Sequence, residues 1–217
     1  MAFAVENPDG AANAPRYSAA GQAALDAFAA QFRSIPETGA WCVGTGMPSV
    51  MLSTVSYPIE LVQNESRIIM VAELETQVRR VYIDGRAHPD NFLPTSVGHS
   101  IGTWDGDTLV VETALLEEWQ LRPWPRSAEA RIVERVRLTK LADVSARPRG
   151  LVATDVAQEP INDDVLVFDI TVTDPAYYDG PQRRIAYYQR MADTATLEYG
   201  CSKGLWFDQL EAQRIAE

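Results

Sequence analysis

His88 and His99 are the only imidazoles in the 217-residue chain, and Cys42 and Cys201 its only thiols. Acid–base chemistry near neutral pH therefore centres on very few positions. His99 lies in Gly98-His99-Ser100-Ile101-Gly102, which fits the G-x-S-x-G pattern of a nucleophile elbow. The context rejects that reading. An elbow needs a strand before it and a helix after it, whereas residues 108–116 read as a second strand and no histidine follows to serve Ser100 as a base. Two histidines and two distant cysteines make neither a cysteine-type zinc doublet nor a multi-histidine centre, so no metal site is expected. The cysteines could pair in an oxidising compartment or stay separate, and the sequence leaves both open.

A hairpin makes better sense of the same stretch. With Asp105-Gly106 as a two-residue turn, Trp104 faces Asp107, and the register then sets Ile101 opposite Val110 and His99 opposite Glu112. The β-carbons of such a pair lie about 5 Å apart. A carboxylate beside an imidazole orients the ring, so His99 and Glu112 are expected to form a proton-transfer pair. Glu134 alternates with the apolar Ile132, Val136 and Leu138, and Tyr188 and Arg190 share one side of a later strand. If the apolar faces line one interior, Glu134 reaches the same space as His99 and Glu112. Arg190 is then expected near Glu134, because a lone buried carboxylate is costly. Taken singly, each of these residues also fits a solvent-facing pair or a strand end, and it is their convergence that argues for chemistry.

The elements that must position these groups are mostly strands. Residues 1–16 read as a loose arm, followed by a helix that Ser18 can cap and that carries Ala23, Ala24, Leu25, Phe28, Ala29 and Phe32 as its apolar stripe. From Met51 onward the period changes to two. Strands are expected at 59–63, 67–74, 77–83, 97–104, 108–116, 131–139, 151–158, 165–173, 183–191 and 196–201. Asn64-Glu65-Ser66, Asp84-Gly85 and Asp105-Gly106 supply turns. About ten short strands without intervening helices predict a mainly β fold, an antiparallel meander closed into a lipocalin-like barrel with a short C-terminal helix at 205–216. The alternative is a cone-shaped α+β pocket, which a single long helix disfavours. Residues 1–40 are expected to form the arm and helix, and 41–217 one barrel domain. The proline-broken stretch 117–129, with Trp119 and Trp124, is either a lid across the barrel mouth or a surface connection with its tryptophans packed inward.

Composition narrows the function classes. The chain is 46% hydrophobic and 23% charged, ordinary for one globular domain of this length. With 19 Lys+Arg against 30 Asp+Glu, the net charge of −11 disfavours nucleic acid and anionic membranes as partners. No apolar run is long enough to span a bilayer, and no export signal is visible, so a cytoplasmic protein is expected, with the periplasm as the alternative.

The run Gly98-His99-Ser100-Ile101-Gly102-Thr103-Trp104-Asp105-Gly106-Asp107-Thr108-Leu109-Val110-Val111-Glu112-Thr113 resembles the signature of a large family of uncharacterised bacterial proteins. Gly46-Met47-Pro48 with Cys42, Tyr82-Ile83-Asp84-Gly85-Arg86 with His88-Pro89, Glu134-Arg135 and Asp174-Pro175 resemble further landmarks of that family. The resemblance covers residues 41–201 and implies no particular reaction. It also implies export signals in many relatives, from which this chain departs.

No nucleotide loop, flavin motif or metal set is present in the sequence, so catalysis is expected to need no cofactor. The leading expectation is a cofactor-independent lyase or isomerase in which His99, held by Glu112, moves a proton. Glu134 and Tyr188 would complete the acid–base set, and Arg190 would steady negative charge. Trp104, Trp119, Trp124, Phe168 and Tyr187 are expected to give stacking surface to a hydrophobic, aromatic or polycyclic small molecule inside the barrel. The alternatives are a non-catalytic carrier of a hydrophobic metabolite and a structural module whose sheet edge recruits a protein partner; a homo-oligomer is compatible with any of the three.

Overall fold

A computed structural model describes residues 2–9, 15–31, 44–52, 57–120, 124–144, 160–191 and 195–197. The fold is mainly β. Nine strands make one curled sheet, a half-barrel: β1 (Ala2–Glu6), β2 (Ile59–Gln63), β3 (Arg67–Ala72), β4 (Gln77–Tyr82), β5 (His99–Asp105), β6 (Thr108–Ala114), β7 (Arg131–Lys140), β8 (Pro160–Thr173) and β9 (Gln182–Met191). Their order is β1-β9-β8-β7-β6-β5-β4-β3-β2. The helices are α1 (Ala19–Gln31) and the single turn α2 (Ser49–Leu52). No helix among the described residues is long and apolar enough to cross a membrane.

The period-two segments fold as their alternation dictates. From β5 to β9 each strand pairs antiparallel with the next in sequence. Three features depart from expectation. The N-terminal arm is not loose throughout, since Ala2–Glu6 adds β1 to β9 as an edge strand. Asp84-Gly85 does not return the chain as a hairpin: residues 83–98 cross over, and β5 pairs parallel with β4, Val81 beside Ser100. A parallel neighbour cannot be reached by a tight turn, and this long connector supplies the crossover. The third concerns closure. Among the described residues β1 and β2 are both edges, with no ladder between them. The buried turn α2 packs on the inner face, its Met51 carbonyl accepting a hydrogen bond from the Tyr188 hydroxyl of β9 at 3.1 Å.

The inner face holds the main core. Met47, Val50, Met51 and Leu52 fill it together with Ile132, Phe168, Ile170 and Tyr188 from the sheet and Leu25 from α1. Ser18 caps α1 as its type and position predict, its Oγ accepting from the Gly21 amide at 2.9 Å. Gly21 lets the helix come close, because a Cβ there would meet the Tyr177 carbonyl oxygen at 2.4 Å. The strand expected at 151–158, the C-terminal helix, Cys42 and Cys201 lie outside the described residues. Of the strand expected at 196–201, only 196 and 197 are described, and neither is in a strand.

Candidate functional site

The hairpin that carries His99 turns one residue later than expected. Gly106 and Asp107 are its central pair, Asp105 faces Thr108, and only Gly106 of the two has a positive φ, 60°. Glycine in the first central position is the requirement of a type II′ turn. The register therefore slides, so that His99 faces Ala114 and Glu112 faces Ile101. His99 and Glu112 still share the outer face, but they are not opposite, and Glu112 is exposed.

His88 takes the place expected of Glu112. It sits in the 83–98 crossover, and its Nδ1 lies 2.9 Å from Nδ1 of His99, so one ring donates to the other. His99 is 5% exposed. It stacks on Tyr82 of β4 with centroids 5.1 Å apart, and Phe92 meets its edge at 5.3 Å. Arg86, held by Asp84, lies 3.9 Å over the Tyr82 ring. Burial lowers the pKa of His88, with Arg131 adding to the effect and Glu112 opposing it. Burial lowers that of His99 as well, helped by His88 and Arg86. Both shifts favour the neutral rings, in which a single proton occupies the Nδ1–Nδ1 bond. Among the described residues no hydrogen bond to either Nε2 is present; His88 is half-buried and His99 is 5% exposed.

A neutral pair of this kind has a spectroscopic consequence. Nitrogen-15 spectra of the two imidazoles are expected to show one ring protonated on Nδ1 and the other on Nε2, both titrating below 6.5. Because the folded values lie under the unfolded one, the pair contributes its stability fully above pH 6.5 and loses it as pH falls through the folded values. Either ring titrating at or above 6.5 would contradict the assignment.

The inner face carries a separate polar ladder across four neighbouring strands. Arg79 of β4 donates to both carboxylate oxygens of Glu134 on β7, through Nη1 at 3.0 Å and through Nη2. It donates also to Ser100 Oγ at 3.0 Å and Thr113 Oγ1 at 2.7 Å. Arg79 is 3% exposed and Glu134 0%. Glu134 thus points inward as its alternation predicts, but it lies on the opposite face of the sheet from His99. Its partner is Arg79 and not Arg190, which is exposed at the end of β9. Ser100, the serine of the elbow-like pattern, is a member of this ladder.

The aromatic candidates scatter. Phe168 and Tyr188 pack edge to face in the inner core at 5.3 Å. Tyr187 points to the outer side, where it packs with Val165 and Val167 and donates to Glu6 at 2.9 Å. Trp104 is 50% exposed near the hairpin tip. Trp124 is core, edge-on to Tyr178, and Trp119 lies beside the buried Arg126. Trp119 and Arg126 exchange backbone hydrogen bonds of 2.8 and 2.7 Å. Asp174 accepts from the Ser127 amide and hydroxyl at 2.6 and 2.9 Å. The described part of the 117–129 segment is thus pinned to the body.

No family model, curated protein or solved structure matches the chain. Function must be argued from the geometry alone. Sequence reasoning found His99 and missed His88, because His88-Pro89 reads as a strand breaker. The one available signal was that the chain has two histidines and no more.

Proposed function

We propose that the protein is a cofactor-independent acid–base enzyme of the lyase or isomerase type, acting on a small hydrophobic molecule at the His88–His99 pair. The observation that supports this is the hydrogen-bonded imidazole pair itself, whose pKa values burial lowers. A neutral imidazole with a lowered pKa is a competent general base at pH 7, and its partner offers an N–H as the acid. On this reading the chemistry lies on the outer face, beside the crossover, and away from the inner face that Met47, Met51 and Phe168 fill. Glu112 and Arg131 flank His88 electrostatically and can tune it. The Arg79–Glu134 ladder has its hydrogen bonds made and supports the strands that carry His99.

A second reading, a carrier of a hydrophobic metabolite, draws on Trp104 and Leu138, which remain 50% and 64% exposed on inner-face positions of β5 and β7. The test begins with mass spectrometry of small molecules that co-purify with the full chain. Incubated with the captured compound, an acid–base enzyme converts it, and His99→Gln binds it without converting it. A carrier binds it unchanged in both forms. If nothing small co-purifies and no conversion is found, both readings fall.

A further inference from the structure

The shared proton of His88 and His99 gives the pair two ends. Each ring has one nitrogen inside the Nδ1–Nδ1 bond and one, Nε2, facing out. When the pair is neutral, the ring that donates its Nδ1 proton has a bare Nε2, and the ring that accepts must carry its proton on Nε2. A proton taken at the bare end need not stay there. It makes an imidazolium whose Nδ1 proton can pass along the hydrogen bond, and the second ring then releases its own Nε2 proton to water. Both rings finish neutral, with their tautomers exchanged, and the substrate is left as its conjugate base. The reverse sequence brings a solvent proton in and delivers it to carbon, so the cycle balances with no oxidant or reductant.

The surroundings say which end meets substrate and what it binds. Arg131 is an exposed cation that acts electrostatically on His88, against the larger and opposite effect of Glu112, and it suits a carboxylate. Phe92, packed on His99, and Leu93, 85% exposed, offer apolar surface from the crossover. His99, 5% exposed, is too enclosed to meet a substrate directly, whereas His88 is half-buried. We infer that His88 and His99 form a two-ring proton relay, in which His88 takes a proton from the carbon beside the carbonyl of an aryl-bearing oxo acid and His99 passes one to solvent. This rests on the acid–base reading above. Burial of both rings, with Arg86 beside His99, serves the relay, since it keeps a proton from being trapped as a lasting imidazolium; at His88 Arg131 offsets part of the opposing effect of Glu112.

The experiment uses the full chain with phenylpyruvate in deuterium oxide, following loss of the C3 protons by proton NMR. The wild-type protein is expected to exchange them faster than buffer. His88→Gln and His99→Gln should each fall to the buffer rate, and Arg131→Ala should raise KM more than it lowers kcat. His99→Phe, which keeps a ring stacked on Tyr82 without a titratable nitrogen, guards against a folding defect and should behave as His99→Gln does. If the two His99 variants keep the wild-type rate and His88→Gln loses it, His88 is a single base and the relay falls while the acid–base reading stands. If all the histidine variants keep the wild-type rate, the acid–base reading falls with it. If the wild-type protein adds nothing to the buffer rate, the oxo-acid class is overturned.

Discussion

Replacing Glu134 with alanine is expected to destabilise the fold by about 3–5 kcal/mol, the range for breaking a buried ion pair by removing one partner. The loss comes mainly from what is left behind. Arg79 is 3% exposed, and without Glu134 its guanidinium keeps only the Ser100 and Thr113 hydroxyls as acceptors. A charge stranded in that position costs far more than the carboxylate's own packing. Two comparisons separate the causes. Glu134→Gln keeps the shape and an acceptor oxygen but removes the charge, so a cost close to that of alanine would assign the effect to electrostatics. Replacing both partners, Arg79→Leu with Glu134→Leu, removes the stranded charge and should recover most of the stability, because apolar substitutes for a buried pair are often neutral or better. Urea unfolding of the wild type, Arg79→Leu, Glu134→Leu and the double variant closes a double-mutant cycle, with Glu134→Ala and Glu134→Gln measured beside it. A loss below about 1 kcal/mol for Glu134→Ala would mean that the pair is more hydrated than its burial indicates.

This ladder also shows what a sequence can and cannot reveal. The inward direction of Glu134 was legible, because Ile132, Glu134 and Val136 share one parity on a strand whose outer face carries Arg131, Arg135 and Arg137. Its partner was not. Arg79 and Arg80 are adjacent on β4 and point to opposite faces, and the choice between them depends on how β4 lies beside β5. That pairing is parallel, and alternation has the same period in parallel and antiparallel strands. The crossover was hidden for a related reason, since Asp84-Gly85 has hairpin chemistry wherever it occurs.

The hairpin register failed on a smaller point. Asp105-Gly106-Asp107 contains both an Asp-Gly and a Gly-Asp dipeptide, each acceptable in a primed turn, and the choice moves every cross-strand partner. Face survived that shift while partner did not. His99 therefore kept the side assigned to it and exchanged Glu112 for His88. Edge strand β1 was illegible because Ala2–Glu6 is only five residues long and runs into a stretch rich in Asn, Pro and Gly that reads as a loose arm. Where two faces of a sheet both carry chemistry-bearing residues, parity sorts them into two groups, but only tertiary contact says which face is covered and by what.

Arg126 is the other residue on which a large effect is expected, and it decides whether the 117–129 segment is a lid or a wall. Its Nε donates to the Glu117 carbonyl at 2.9 Å, and its Nη1 to the carbonyls of Thr45 and Met47 at 2.7 and 3.1 Å. One guanidinium thus ties the segment to the connector that leads into α2, the plug of the inner face. The tie is held against a desolvation cost. Burial pushes the Arg126 pKa down to about 10, its Nη2 finds no hydrogen-bond acceptor among the described residues, and the nearest carboxylate oxygen, on Glu117, stands 3.8 Å away. Removing the side chain relieves that cost but leaves three carbonyls without their donor, at about 1–3 kcal/mol each where water cannot reach. The second term wins, and Arg126→Met is expected to lose about 3 kcal/mol in urea unfolding and to open the 117–129 segment to limited proteolysis. Arg126→Lys should recover only part of this, because a single ammonium cannot span acceptors on two segments as the planar fork does. A stable, protease-resistant Arg126→Met protein would show that the segment is held without its arginine, by contacts such as those of Trp124 and Asp174.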